Sequence, residues 1–266
     1  MTLTIAAVAY DPRVVTVWEG MCEYLSSAGV PADYVLYRSY EAQVDALFAR
    51  KVDMAWNTNL AYVRSQARAD GRCRAFAMRD TDLNWRSILI ARPGLLRNVD
   101  ALRGKTLALG SRDSGHAHIL PVHFLRELGL EAARDYRPLR FDLDVGKHGD
   151  TGTSEVEVLK AVLDGRADAG VVGEPFWARA LATSQVPRGG AEAVWTSPPF
   201  HHCMFTALPD FDEKLGGQFA QALFAMSYDD PRHRPVLDAE GLKQWLPPHT
   251  DGYASLERAA RELGLL

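Results

Sequence analysis

The 266-residue sequence has no apolar run approaching the ~20 residues that a membrane-spanning helix needs, so no membrane insertion is expected. Cysteine is scarce. Cys22, Cys73 and Cys203 are odd in number and form no Cys-x-x-Cys pair, which argues against both a disulfide scaffold and a zinc ribbon. Positive charge is not in excess either: 30 Lys and Arg against 34 Asp and Glu leave a net charge of −4. No bulk field therefore draws the chain to nucleic acid or to an anionic membrane. Enzyme signatures are missing too, since Gly-x-Ser-x-Gly, His-Glu-x-x-His and Gly-x-Gly-x-x-Gly do not occur. Gly104-Lys105-Thr106 imitates the end of a phosphate-binding loop, but Val99 stands where the first glycine is required. Finally, no basic segment precedes the strand-like Leu3–Ala9 and no small-residue cleavage site follows it. The expectation is a cytoplasmic protein if Met1 is the native start, and a periplasmic one if a leader was removed.

What is present is a foldable mix, 47% hydrophobic and 24% charged, long enough for two lobes. Short β-branched runs alternate with helical periodicity, the pattern of an α/β fold with mostly parallel strands. Strands are expected at Leu3–Ala9, Tyr34–Tyr37, Val52–Trp56, Arg74–Met78, Ser87–Ala91, Thr106–Gly110, Tyr136–Phe141, Ala169–Val172, Ala193–Thr196 and Cys203–Leu208. Helices are expected at Val14–Ala28, Tyr40–Arg50, from the Asn57-Thr58-Asn59 cap to Arg68, from the Ser114 cap to Leu128 with a break at Pro121, and at Ser154–Asp164, Glu213–Ser227 and Ser255–Leu265. No internal sequence repeat is visible. Residues 1–85 and 200–266 read as lobe I and 86–199 as lobe II, with a ligand cleft expected between them.

The order of certain segments is distinctive. Trp85-Arg-Ser-Ile-Leu-Ile-Ala91 is followed by Leu102-Arg-Gly-Lys-Thr-Leu-Ala-Leu-Gly110 and then by Ser114-Gly115 at a helix start. Asp53-Met-Ala-Trp-Asn57, Asp168-Ala-Gly-Val-Val-Gly-Glu174 and Gly152-Thr-Ser-Glu155 supply further landmarks. Together they resemble the type II periplasmic solute-binding fold, in its phosphonate-binding, PhnD-like branch. The resemblance covers nearly the whole chain. It implies two lobes that hinge shut on a small molecule, with anion-binding N–H groups and hydroxyls at helix N-termini. Carried over by position, the ligand contacts are Tyr10, Trp56, Asn57, Thr58, Ser111, Asp113, Ser114, Gly115, Thr153, Ser154 and Glu174. It also implies an ABC permease as partner if the protein is exported, and no cofactor.

Two departures stand out. Arg112-Asp113-Ser114 replaces a hydroxyl-rich Ser-Thr-Ser run, and Ser154 replaces a histidine. A carboxylate beside a poorly solvated phosphonate would add repulsion on the order of a few kcal/mol.

From the residues themselves, Asp11 is a ligand contact or a turn residue beside Arg13, and Trp56 is a stacking platform or core wall. His116, His148 and His201 join the candidate ligand contacts. The sharper alternative for the histidines is a transition-metal site drawing on His116, His148 and His202; ordinary polar or capping roles rank above it. In an extended segment His201 and Cys203 would share one face and His202 the other. Two functions follow: a binding protein for a small polar ligand, anionic or zwitterionic, or a cytoplasmic enzyme on the same scaffold, metal- or histidine-assisted. Menaquinone-pathway dehydratases and thiamin-pyrimidine synthases exemplify the second.

Overall fold

The computed structural model describes residues 2–266, and the chain separates into two units. Unit 1 comprises residues up to Asn84, His201–Glu257 and Leu265–Leu266; unit 2 comprises Trp85–Phe200 and Arg258–Gly264.

Unit 1 begins with β1 (Leu3–Val8), α1 (Val14–Ser27), β2 (Ala32–Tyr37), α2 (Tyr40–Phe48), β3 (Met54–Asn57), α3 (Asn59–Arg68), β4 (Arg74–Ala75) and β5 (Met78–Arg79). Unit 2 inserts β6 (Ser87–Ala91), β7 (Thr106–Leu109), α4 (Leu120–Glu127), β8 (Arg137–Arg140), α5 (Thr153–Leu163), β9 (Ala169–Gly173), α6 (Glu174–Ala182) and β10 (Glu192–Thr196). The chain then returns through β11 (Met204–Ala207), α7 (Glu213–Phe224), α8 (Arg234–Glu240) and β12 (Trp245–Leu246), and ends in α9 (Ala254–Glu262).

The main sheet of unit 1 has the order β2-β1-β3-β11-β4, and that of unit 2 is β8-β7-β9-β6-β10 read in the same sense. In each, a parallel triplet surrounds one central strand, β1 or β7, and the next strand runs antiparallel. The same topology is thus built twice without a sequence repeat. The antiparallel strands β11 and β6 also make both sheets mixed rather than mostly parallel. In open α/β sheets, ligands sit at the carboxyl ends of the strands where the order reverses. Here those ends are Val8 and Asn57 in unit 1, and Leu109 and Gly173 in unit 2.

Packing follows from strand periodicity. In β6, Ile88 and Ile90 join Val158, Val162 and Phe176 under α5 and α6, while Leu89 and Ala91 join Leu107, Leu109 and Leu125 under α4. A strand buried on both faces reads as a continuous apolar run, as this one does. In unit 1, Trp18, Trp56, Phe205, Phe219 and Trp245 centre one cluster with Leu3 and Ile5.

Helix α6 is not foreseen by the sequence reading, because Glu174-Pro175 looks like a breaker. Proline at the first turn of a helix loses no bond that the helix would have made, and it starts α6 here. Helix α8 begins the same way with Pro235. The tail also departs from the expected lobe I: Arg258–Gly264 groups with unit 2, where Glu262 pairs with His123 Nδ1 at 3.0 Å and with Arg126.

Candidate functional site

A set of buried polar groups in unit 2, Ser111, Asp113, Ser114 and His116, follows the end of β7. Gly110 is obligatory, since a Cβ there would fall 2.6 Å from that of Ala117 and 3.2 Å from Ser154 Oγ. The starts of the two following helical segments are therefore adjacent. Ser114 caps the first: its Oγ accepts from the Ala117 N–H at 3.1 Å. Residues Gly115–Ile119 form a π turn, with the Ile119 N–H on the Ser114 carbonyl at 2.9 Å, and Pro121 then opens α4. The expected break is thus a wide turn ahead of the proline rather than a kink at it. π turns are rare and are found frequently at functional sites.

The turn throws His116 inward and leaves His118 half-exposed on the Arg112 carbonyl at 2.9 Å. His116 Nε2 lies 3.4 Å from Glu155 Oε2, and Glu155 Oε1 accepts the Gly173 N–H at 2.7 Å. Trp85 meets the His116 ring edge-on, with centroids 5.5 Å apart, and the Ser87 hydroxyl donates to the His116 carbonyl at 2.6 Å. Burial alone would push the His116 pKa down, yet the charge and hydrogen bond of Glu155, with the charge of Asp150, hold it above the ordinary imidazole value.

The loop between β8 and α5 packs over this turn. Asp144, Gly146, His148, Gly149 and Gly152 all have positive φ. Gly149 is constrained twice, by φ +91° and because a Cβ would lie 2.5 Å from Ser114 Oγ. Asp113 pins the loop: one oxygen accepts from Ser111 Oγ at 2.6 Å and the other from the Gly146 N–H. Its carboxylate holds the framework, which accounts for a negative charge beside the Ser114 turn. Thr153 Oγ1 donates to Asp144 Oδ2 at 2.6 Å, and Ser154 is buried. His148 is buried within the loop, and Glu174 is exposed as the first residue of α6.

In unit 1, Tyr10 is exposed just beyond β1. Asp11 is a turn residue that accepts from the Arg13 N–H at 2.8 Å and from Arg13 Nε at 2.9 Å; these bonds lower its pKa to about 2. Trp56 is core wall, packed 4.5 Å from the Phe205 ring with the Arg79 guanidinium 5.2 Å over it. Asn57 is buried, accepting from Gln43 Nε2 at 2.8 Å and donating to Ser65 Oγ at 3.3 Å. Thr58 caps α3 through the Ala61 N–H at 3.4 Å.

His201, His202 and Cys203 belong to unit 1 and precede β11 rather than extending it, so strand alternation does not govern them. Cys203 Sγ lies 3.0 Å from His202 Nδ1, and Asp82 Oδ1 lies 3.5 Å from the same nitrogen. A catalytic triad needs nucleophile and carboxylate on different ring nitrogens. Moreover, Arg79 clamps both oxygens of Asp82, at 2.7 and 2.8 Å. Asp82, His202 and Cys203 bring their ligand atoms within 4.8 Å of one another, and that guanidinium already pairs with the carboxylate. His201 Nδ1 accepts from the Asn84 N–H at 3.3 Å, and its Nε2 lies 3.6 Å from Asp251.

The family model for "ABC transporter, phosphonate, periplasmic substrate-binding protein" matches residues 4–253. The chain belongs to this family. It is a small-molecule-binding protein of the ABC-importer type, and the enzyme reading on the same scaffold gains no support. Solved structures share the fold over essentially full lengths. PhnD1 from Prochlorococcus marinus, in complex with methylphosphonate, is 19% identical with a TM-score of 0.74, covering 100% of this chain and 99% of its own. A Xanthomonas citri protein bound to ATP is 16% identical with a TM-score of 0.77, over 99% and 98%. The aliphatic sulphonate binding protein SsuA from Escherichia coli is 16% identical with a TM-score of 0.63, over 98% and 91%. Members of this family are periplasmic receptors, and among the described residues no helix is long and apolar enough to cross a membrane.

Three groups at these strand ends escaped the sequence reading. In the sequence Glu155 and Trp85 appear only within landmark segments, and nothing local connects either to His116. Gln43 was an unremarked polar residue on the buried stripe of α2; its Oε1 is a buried acceptor with no partner. A polar side chain recurring with the apolar stripe Val44, Leu47 and Phe48 is the signal that marks it.

Proposed function

We propose that this protein is the periplasmic receptor for a small organic anion with a phosphonate- or sulfonate-class headgroup, and that it delivers this ligand to an ABC permease. The observation that carries the reading is the Ser114 turn at the switch point of the unit 2 sheet. The first turn of a helix leaves N–H groups without intrahelical partners, and the positive end of its dipole favours an anion. Ser114 Oγ accepts from Ala117, which leaves its own proton to donate to a ligand oxygen. The headgroup contacts assigned to unit 2 are Ser114, Gly115 and Ser154. Ser111 gives its proton to Asp113, so both become supports for the turn rather than donors to the ligand. In unit 1, Tyr10 and Thr58 stand at the corresponding strand ends.

Titration calorimetry with methylphosphonate, methanesulfonate and inorganic phosphate tests this reading. Saturable binding of at least one anion, one per chain and without turnover, is expected. Ser114→Ala should weaken that binding by about tenfold, the worth of one hydrogen bond to a charged group, while loss of the cap lowers stability by only about 1 kcal/mol. Unchanged affinity in that variant would remove Ser114 from the site.

A further inference from the structure

The anion-binding turn does not stand alone. Glu155, in the first turn of α5, holds His116 on one oxygen and the last N–H of β9 on the other. A single buried carboxylate thus ties together the π turn after Ser114, the start of α5 and the junction between β9 and α6. Both side chains are about 95% buried, at 4% and 5% exposure, so water screens the pair little. Space around it is closed: a Cβ on Gly149 would lie 3.0 Å from His116 Cε1, and one on Gly173 would lie 3.1 Å from Cδ2 and 3.3 Å from Glu155 Oε1.

We propose that His116 and Glu155 are a positioning pair for the anion site, and that the proton they share makes ligand affinity fall as pH rises. This rests on the reading that the anion binds at the Ser114 turn. With the proton present, the pair locks the turn and places a positive charge two residues from Ser114, among carboxylates that would otherwise disfavour an anion. Without it, a charged Glu155 remains buried against a neutral ring, its other oxygen held by Gly173.

Groups from several elements face His116. Glu155 approaches from α5 and Asp150 bears on it through charge from the loop before α5; Trp85 contributes a ring edge from the segment before β6, and Gly149 and Gly173 contribute backbone. Both charged neighbours favour the protonated ring. Reciprocity then fixes the sign, since an anion that binds more tightly to the protonated protein must itself tighten the proton.

The test has two arms. The first follows the His116 ring signals by NMR against pH in the ligand-free protein and in Glu155→Gln. Glutamine keeps an acceptor for the Gly173 N–H and removes the charge, so the fold is retained. His116 should titrate above an ordinary histidine in the parent and drop in the variant. The second arm measures methanesulfonate affinity across the same pH range; this anion does not titrate there, so any dependence belongs to the protein. Kd should rise with pH through the His116 titration by up to about tenfold per pH unit, the limit for one linked proton. In Glu155→Gln the dependence should move to lower pH together with the His116 titration. An ordinary His116 titration, or a Kd that is flat with pH in the parent, overturns the proposal. If none of methanesulfonate, methylphosphonate and phosphate binds at any pH, the functional reading fails with the binding arm, while the NMR arm still decides whether the pair exists.

Discussion

Arg79 shows what a buried charge requires. Its guanidinium holds both oxygens of the fully buried Asp82, reaches Glu240 at 3.3 Å and lies over the Trp56 ring. Burial would raise the Asp82 pKa, but the charge and bonds of Arg79, with His202, hold it well below the usual carboxylate range. A depressed carboxylate contributes stability above its unfolded pKa and loses it only as pH falls through the folded value, so this pair resists all but strong acid. Arg79→Met should destabilise the protein by about 3–5 kcal/mol at neutral pH, because the buried Asp82 loses the guanidinium that holds both its oxygens. In that variant, mild acid should recover part of the loss by protonating Asp82, which denaturant titrations at two pH values would show. The cysteines give the opposite lesson. All three are buried, and burial pushes the thiols of Cys22 and Cys73 up to about 11, which makes them poor nucleophiles.

At the scale of elements, glycines and prolines set the shapes. Gly216 lies inside α7, where a Cβ would come within 2.1 Å of Phe76 Cε1. Gly216→Ala should therefore lower stability by roughly 1–3 kcal/mol through overpacking, despite the better helix propensity of alanine. A melting temperature at or above that of the parent would contradict this close contact. The elements also show how far the sequence was legible. The Thr58 and Ser114 caps announce their helices, since a short polar side chain before an apolar stripe satisfies the first-turn N–H groups. Helix α6 was illegible because proline carries two meanings, breaker and starter, which only the neighbouring strand separates. The His201–Cys203 stretch misled for a similar reason: alternation holds only within a strand, and β11 begins one residue later.

At the scale of the molecule, the central fact is a strand order used twice. The sequence conveys the alternation of strands and helices and, by resemblance, the family. It does not convey the duplicated topology, because β1 and β7 share no motif and only their neighbours in space reveal the match. The candidate site divides in the same way. Ser114, Gly115 and Ser154 are readable as the head of a helix, whereas Asp113 is readable only as an acidic residue in the wrong place. Its partners Ser111 and Gly146, the latter 33 residues away, assign it to the framework.

The account rests on a receptor that binds an anion and leaves it unchanged. The most direct measurement is equilibrium titration of the protein with methylphosphonate and methanesulfonate, followed by mass spectrometry of the recovered ligand. One intact anion per chain is the predicted result, with weaker binding in Ser114→Ala. Consumption of the ligand, or no binding of either anion, would contradict it.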